Sequence, residues 1–128
     1  MLYSDKEIMA KAWLVKECTN LVLMDSELST DKIFLIGSYA SGKQDEWSDL
    51  DFLVQLKGGK KIGWKYPTWQ QIKDIHMKIE NKRIHVIFGT LESAESLYQK
   101  HKTEKKTYAY RELSLGGIQN ANSHSSGN

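Results

Sequence analysis

A single cysteine, Cys18, excludes an intramolecular disulfide, and without a Cys/His cluster at ligand spacing it argues against a structural zinc site. It reads as a small buried hydrophobe. No stretch has the apolar length of a membrane span, and the N-terminal MLYSDKEIM lacks the basic-then-apolar layout of a signal peptide. The expectation is a cytoplasmic protein without a membrane partner. Charge of one sign is also lacking: 18 basic against 16 acidic residues leave a net +2, which does not call for nucleic acid as a partner. The two local basic candidates, Lys57 to Lys61 and Lys100 to Lys106, read as solvated faces. There is no internal repeat. A chain of 128 residues with 40% hydrophobic content suits one domain with an ordinary core, expected over 1–115. The segment 116–128, GGIQNANSHSSGN, is small and polar and reads as a disordered tail.

The periodicities give a coarse layout. Ser4 and Glu7 form a capping box before Ile8, Ala12, Val15 and Val22, which predicts a helix from about Asp5 to Met24 with Met9 and Trp13 widening its apolar face. The polar run from Asp25 to Asp31 ends it. The single proline, Pro67, precedes Thr68, which caps a second helix with Gln71 at the capping-box position and a stripe of Trp69, Ile72, Ile75, His76 and Ile79. His76, on the edge of that stripe, reads as a partly buried, hydrogen-bonded residue rather than a ligand. RIHVIF, from Arg83 to Phe88, is a strand with Ile84, Val86 and Phe88 on one face and His85 and Ile87 on the other. Gly89-Thr90 caps a further helix from Leu91 to Lys102, with Ala94, Leu97 and Tyr98 inward. Tyr108, Tyr110 and Leu113 would close a helix or add an edge strand. Between 57 and 66 lies a Gly/Lys-rich connection carrying Trp64 and Tyr66.

The most informative stretch is IFLIGSYASGKQDEWSDLDFLVQL, from Ile33 to Leu56. It reads as an apolar strand over 33–36, a Gly37-Ser38 turn, a small-residue segment with Gly42, a polar loop, and a strand that opens Asp49-Leu50-Asp51. Alternation puts Asp49 and Asp51 on one face and Leu50, Phe52 and Val54 on the other. Two adjacent carboxylates repel, and a divalent cation relieves the repulsion. Mg²⁺ is commonly held by one or two carboxylates, with waters and substrate phosphates completing its octahedron. The Gly-Ser turn suits those phosphates, because Gly37 permits close approach, Ser38 offers a hydroxyl and an N–H, and a following helical turn would aim its N-terminus at an anion.

Gly37-Ser38, ten intervening residues, and then Asp49-x-Asp51 leading into an apolar strand resembles the signature of the polymerase-β-type nucleotidyltransferase superfamily, especially its minimal members. Gly42 and Ser48 also fall where that pattern commonly has them. Either dipeptide alone would carry little weight; the pair at this spacing, each beside an apolar strand, is far rarer. The resemblance and the side-chain alternation together predict an α/β (α+β) fold, a small mixed sheet with helices packed mainly on one face. They imply nucleotide binding by Gly37, Ser38, Gly42 and Ser48, Mg²⁺ held by Asp49 and Asp51, and transfer of a nucleoside monophosphate from an NTP to a hydroxyl of a protein or small molecule.

One family feature is missing. A third acidic residue usually comes from a later strand, and here that position holds His85 in Ile84-His85-Val86-Ile87. Two readings follow. In the first, His85 joins Asp49 and Asp51 as a catalytic residue, either a neutral metal ligand or the general base on the acceptor hydroxyl. In the second, the chain is a degenerate relative, an antitoxin-like module that binds nucleotide or only a partner protein. Retention of both Asp49 and Asp51 favours the first, since paired exposed acids do little for stability.

Overall fold

The computed structural model describes residues 2–24, 30–56, 67–100 and 108–115. The expectations for 57–66, for the basic run beyond Lys100 and for the tail 116–128 lie outside the described residues. The elements, in chain order, are α1 (Asp5–Leu23), β1 (Thr30–Ile36), α2 (Gly37–Ser41), β2 (Leu50–Leu56), α3 (Trp69–Ile79), β3 (Ile84–Phe88), α4 (Leu91–Lys100) and β4 (Tyr110–Leu113). They form the expected mixed α/β architecture around one four-stranded sheet of order β3-β2-β1-β4. β1 runs antiparallel to β2 and to β4, whereas β2 and β3 are parallel and joined through α3. A parallel pair requires such a crossover.

Both capping boxes form as the sequence predicts. The Ser4 hydroxyl accepts from the Glu7 N–H while Glu7 accepts from the Ser4 N–H, and Thr68 and Gln71 do the same at α3. The first strand starts at Thr30, earlier than the apolar run alone suggested, with an irregularity in its pairing between Thr30 and Lys32. The ambiguous C-terminal stretch resolves as an edge strand, because Leu113 finds a buried place opposite Ile33 on β1.

α1 and α3 cover one face of the sheet and bury Ile33, Leu35, Leu50, Phe52, Val54, Ile84, Val86 and Phe88 beneath Ile8, Ala12, Val15, Ile75 and Ile79. Cys18 is buried in the same core, as a small hydrophobe would be. On the opposite face, Ala94 of α4 packs with Phe34, Ile36 and Leu53, flanked by Leu91 and Tyr108. The helices therefore lie mainly, though not entirely, on one side. Two inward assignments fail. Trp69 is 79% exposed because burial on α3 falls to Ile75 and Ile79, beyond the first turn, and Leu97 is 43% exposed because α4 buries only Ala94. No helix among the described residues is long and apolar enough to cross a membrane.

His76 secures the exposed edge of β3. The Val86 N–H donates to its Nε2 at 3.2 Å, so the ring proton sits on Nδ1 and bonds the Ile72 carbonyl at 2.9 Å. This is the structural histidine that the stripe position suggested. Phe52, fully buried between the sheet and both large helices, is the strictest test of the core. Phe52→Ala should lower the unfolding free energy by about 3–5 kcal/mol in a denaturant titration.

Candidate functional site

β1 ends at Ile36, and Gly37 turns the chain away from the sheet with φ +72°. A Cβ at Gly37 would overlap Asp51 Oδ2 and lie 3.2 Å from Asp51 Cγ. Glycine is required both by the left-handed backbone and by the carboxylate against it. The expected Gly-Ser turn is a single helical turn, α2, anchored by Tyr39. That residue is buried, its ring centroid lies 6.0 Å from that of Tyr3, and its hydroxyl oxygen accepts from the Tyr3 N–H at 3.1 Å. Ser38 is half-buried, and its carbonyl oxygen receives the Gly42 and Lys43 N–H groups and the Ser41 hydroxyl. Gly42 ends α2 at φ +76°, a backbone conformation that favours glycine, with open space where a side chain would stand.

The loop to β2 is self-braced. Asp45 accepts from the Trp47 N–H and the Ser48 hydroxyl, while the Asp45 N–H donates to Ser48 Oγ. These bonds hold the Asp45 carboxyl below the usual range, the Trp47 N–H contributing most. The Ser48 hydroxyl is thus engaged within the loop. Asp49 lies just before β2, which begins at Leu50 rather than at Asp49 as the sequence suggested.

Strand register gathers the remaining residues. Asp51 pairs with Ile36 on one side and with His85 on the other, and directly paired residues point to the same face. His85 Nδ1 lies 3.6 Å from Asp51 Oδ1, and His85 Nε2 lies 3.6 Å from Asp49 Oδ2. On the other side of Asp49, Arg83 Nε approaches Oδ1 at 3.7 Å. The result is an open row, Arg83–Asp49–His85–Asp51, with alternating basic and acidic groups. Burial pushes the Asp51 carboxyl above its usual range; His85 opposes that shift and Asp49 adds to it. Crowding of the two acids is therefore the lesser cause. Burial also raises the Tyr108 phenol, with Asp51 as the next contributor, so the aromatic cover under α4 reaches the edge of the site.

The donor chemistry suits a hard cation. Asp49 and Asp51 are partly exposed, with side chains 42% and 30% accessible. Yet the two nitrogens of His85 face different carboxylates, and among the described residues no three His, Cys, Asp or Glu side chains converge as a ligand set. Two carboxylates without a closed protein cage fit Mg²⁺ that arrives with part of its coordination supplied by substrate phosphates.

The nucleotidyltransferase domain profile matches residues 18–110, well over half of the chain. The chain belongs to the nucleotidyltransferase domain family. Family membership carries the general kind of reaction, nucleotidyl transfer with an NTP as substrate, and domains of this family generally use divalent metal ions. No match was found among curated proteins.

Within this nucleotidyltransferase domain, Gly37, Asp49, Asp51 and His85 meet at one end of the sheet, with Ser38 following Gly37 on α2 and Gly42 and Ser48 in the connection between them. Arg83 and Tyr39 are the structural contributors that motif reasoning passed over. Alternation in RIHVIF could have flagged Arg83, which shares the face of His85, and Tyr39 is the one bulky residue in an otherwise small segment.

The packing of Gly37 against Asp51 can be tested at both residues. Gly37→Ala should destabilise the fold by about 1–3 kcal/mol in denaturant unfolding, from backbone strain before any carboxylate displacement is counted. For the pH dependence, a folded-state pKa raised above the unfolded value makes the protonated Asp51 the stabilising form. That contribution is full below the unfolded pKa, near 3.8, and is lost as pH rises through the raised folded value. Asn imitates the protonated acid. In chelator, Asp51→Asn should therefore melt above wild type at neutral pH, with the gap closing as the solution is acidified below about pH 4.

Proposed function

We propose that the chain transfers a nucleoside monophosphate from a Mg²⁺-bound NTP to a hydroxyl on a protein or small molecule. The single observation that carries this reading is the placement of Asp49 and Asp51 on either side of His85, with Asp51 against the backbone of Gly37. Asp49 and Asp51 would hold the Mg²⁺, which when bound supplies charge neutralisation and orientation of the triphosphate. Gly37 and Ser38 border the phosphates, and Gly42 and Ser48 shape the segment around them. His85, whose ring nitrogens lie 3.6 Å from Asp49 and from Asp51, takes the proton of the acceptor hydroxyl on a ring nitrogen. The acceptor oxygen forms its bond to the α-phosphorus in line with the bond that breaks, and pyrophosphate leaves with that electron pair.

One observation favours a second reading, a degenerate module that binds nucleotide or a partner in the manner of an antitoxin: no third carboxylate joins Asp49 and Asp51 among the described residues. Pyrophosphate release from each NTP, with candidate protein and small-molecule acceptors present, separates the two. Transfer predicts measurable wild-type release, none from Asp49→Asn, and a loss of about 10²-fold or more in His85→Ala. His85→Asp should restore only part of it. If His85 merely occupies a vacated carboxylate position, His85→Asp should instead exceed wild type. Absence of release from every variant with every acceptor would favour the degenerate module.

The acceptor assignment rests on the net charge of +2. Binding to single-stranded or duplex nucleic acid should be weak at physiological salt. Tight binding that falls steeply with added salt would reverse the assignment.

A further inference from the structure

Arg83 is tied to three groups on the approach to β2. Its Nη2 donates to the Ser48 carbonyl at 2.6 Å and to the Glu46 carbonyl at 3.0 Å, and its Nε lies 3.7 Å from Asp49 Oδ1. Its own carbonyl accepts the Leu50 N–H at 2.8 Å, so backbone and side chain of one residue brace both sides of Asp49. The side chain is 35% exposed, partly sheltered from water. Such multiple contacts use the planar, forked donor set of a guanidinium, which an ammonium cannot reproduce.

Asp49 needs that brace. Asp51 stands within β2, held by its pairs Ile36 and His85, whereas Asp49 precedes the strand and follows a loop braced between Asp45 and Ser48. A carboxylate at the end of a loop fluctuates more than one in a ladder, and a metal ligand loses affinity when its orientation is not fixed. We infer that Arg83 is a positioning residue, which holds Asp49 and the loop before it in the orientation that the metal-bound nucleotide requires. The inference rests on the proposed role of Asp49 as a Mg²⁺ ligand. Arg83 acts through Asp49 and does not itself touch the substrate.

The test compares wild type, Arg83→Lys and a neighbouring charge control, Lys82→Ala, in the full chain. Amide exchange by NMR gives the nucleotide-independent readout. Arg83→Lys should raise exchange at Trp47, Ser48 and Asp49 by about tenfold, as expected for losing charge-assisted bonds, while Phe52 and Val86 stay protected. Calorimetry with non-hydrolysable NTP analogues gives the second. Arg83→Lys should weaken the Mg²⁺-dependent affinity about 10-fold or more and leave Mg²⁺-free binding unchanged, while Lys82→Ala should change neither. Arg83→Gln supplies the same comparison if the lysine variant does not fold. Unchanged exchange at residues 47–49, or equal loss of affinity with and without Mg²⁺, would overturn the inference. If wild type shows no Mg²⁺-dependent binding, the transferase reading fails separately, and exchange alone decides whether Arg83 holds the loop.

Discussion

The pairing of Ile36 with Asp51 and of Asp51 with His85 fixes which side chains share the open end of the sheet. A one-residue slip of β2 would exchange its faces, sending Asp51 into the core and Phe52 to solvent. That slip is opposed by the burial of Leu50, Phe52 and Val54 under α1 and α3 and of Leu53 under α4. The hydrophobic pattern of one strand thus determines where a carboxylate stands. Gly37 depends on the same register, because its backbone rests against the carboxylate that the register delivers. The site is a consequence of sheet packing as much as of its own polar residues.

Four side chains hold the polar groups that packing alone would leave loose. Tyr39 pins α2, and with it Ser38, to the segment just before α1 through a buried ring and the Tyr3 N–H. Asp45 braces the loop, and Arg83 ties that loop to the start of β3. His76 protects the edge of the strand that carries His85. Against these, the partly buried Asp51 is held with its carboxyl raised by burial, a cost to stability of the kind common at functional sites. The exposed Arg111–Asp5 contact, at 3.4 Å, adds little to the balance.

Much of this was legible in the sequence because the informative signals are local. Capping boxes at Ser4 and Thr68, alternation in DLDFLV and RIHVIF, and the Gly-Ser to Asp-x-Asp spacing each depend on residues close in the chain. The assignments of Trp69 and Leu97 failed because periodicity gives the direction of a side chain but not how far a helix extends over its partner. Arg83 went unnoticed as a contributor since its contacts are to backbone carbonyls 35 and 37 residues away, which carry no residue-type signature. Why the Asp51 carboxyl is raised was likewise out of reach. Adjacency of two acids suggests repulsion, whereas burial of the site, which depends on the tertiary fold, contributes more.

The proposed substrate-completed metal site of Asp49 and Asp51 lies beside the Gly37-Ser38 segment. It is tested most directly by a crystal structure of the protein soaked with Mg²⁺ and a non-hydrolysable NTP. The expected result is one Mg²⁺ bound by oxygens of Asp49 and Asp51 together with phosphate oxygens, and the triphosphate against Gly37 and Ser38. A nucleotide bound elsewhere on the sheet, or a metal that touches neither aspartate, would contradict it.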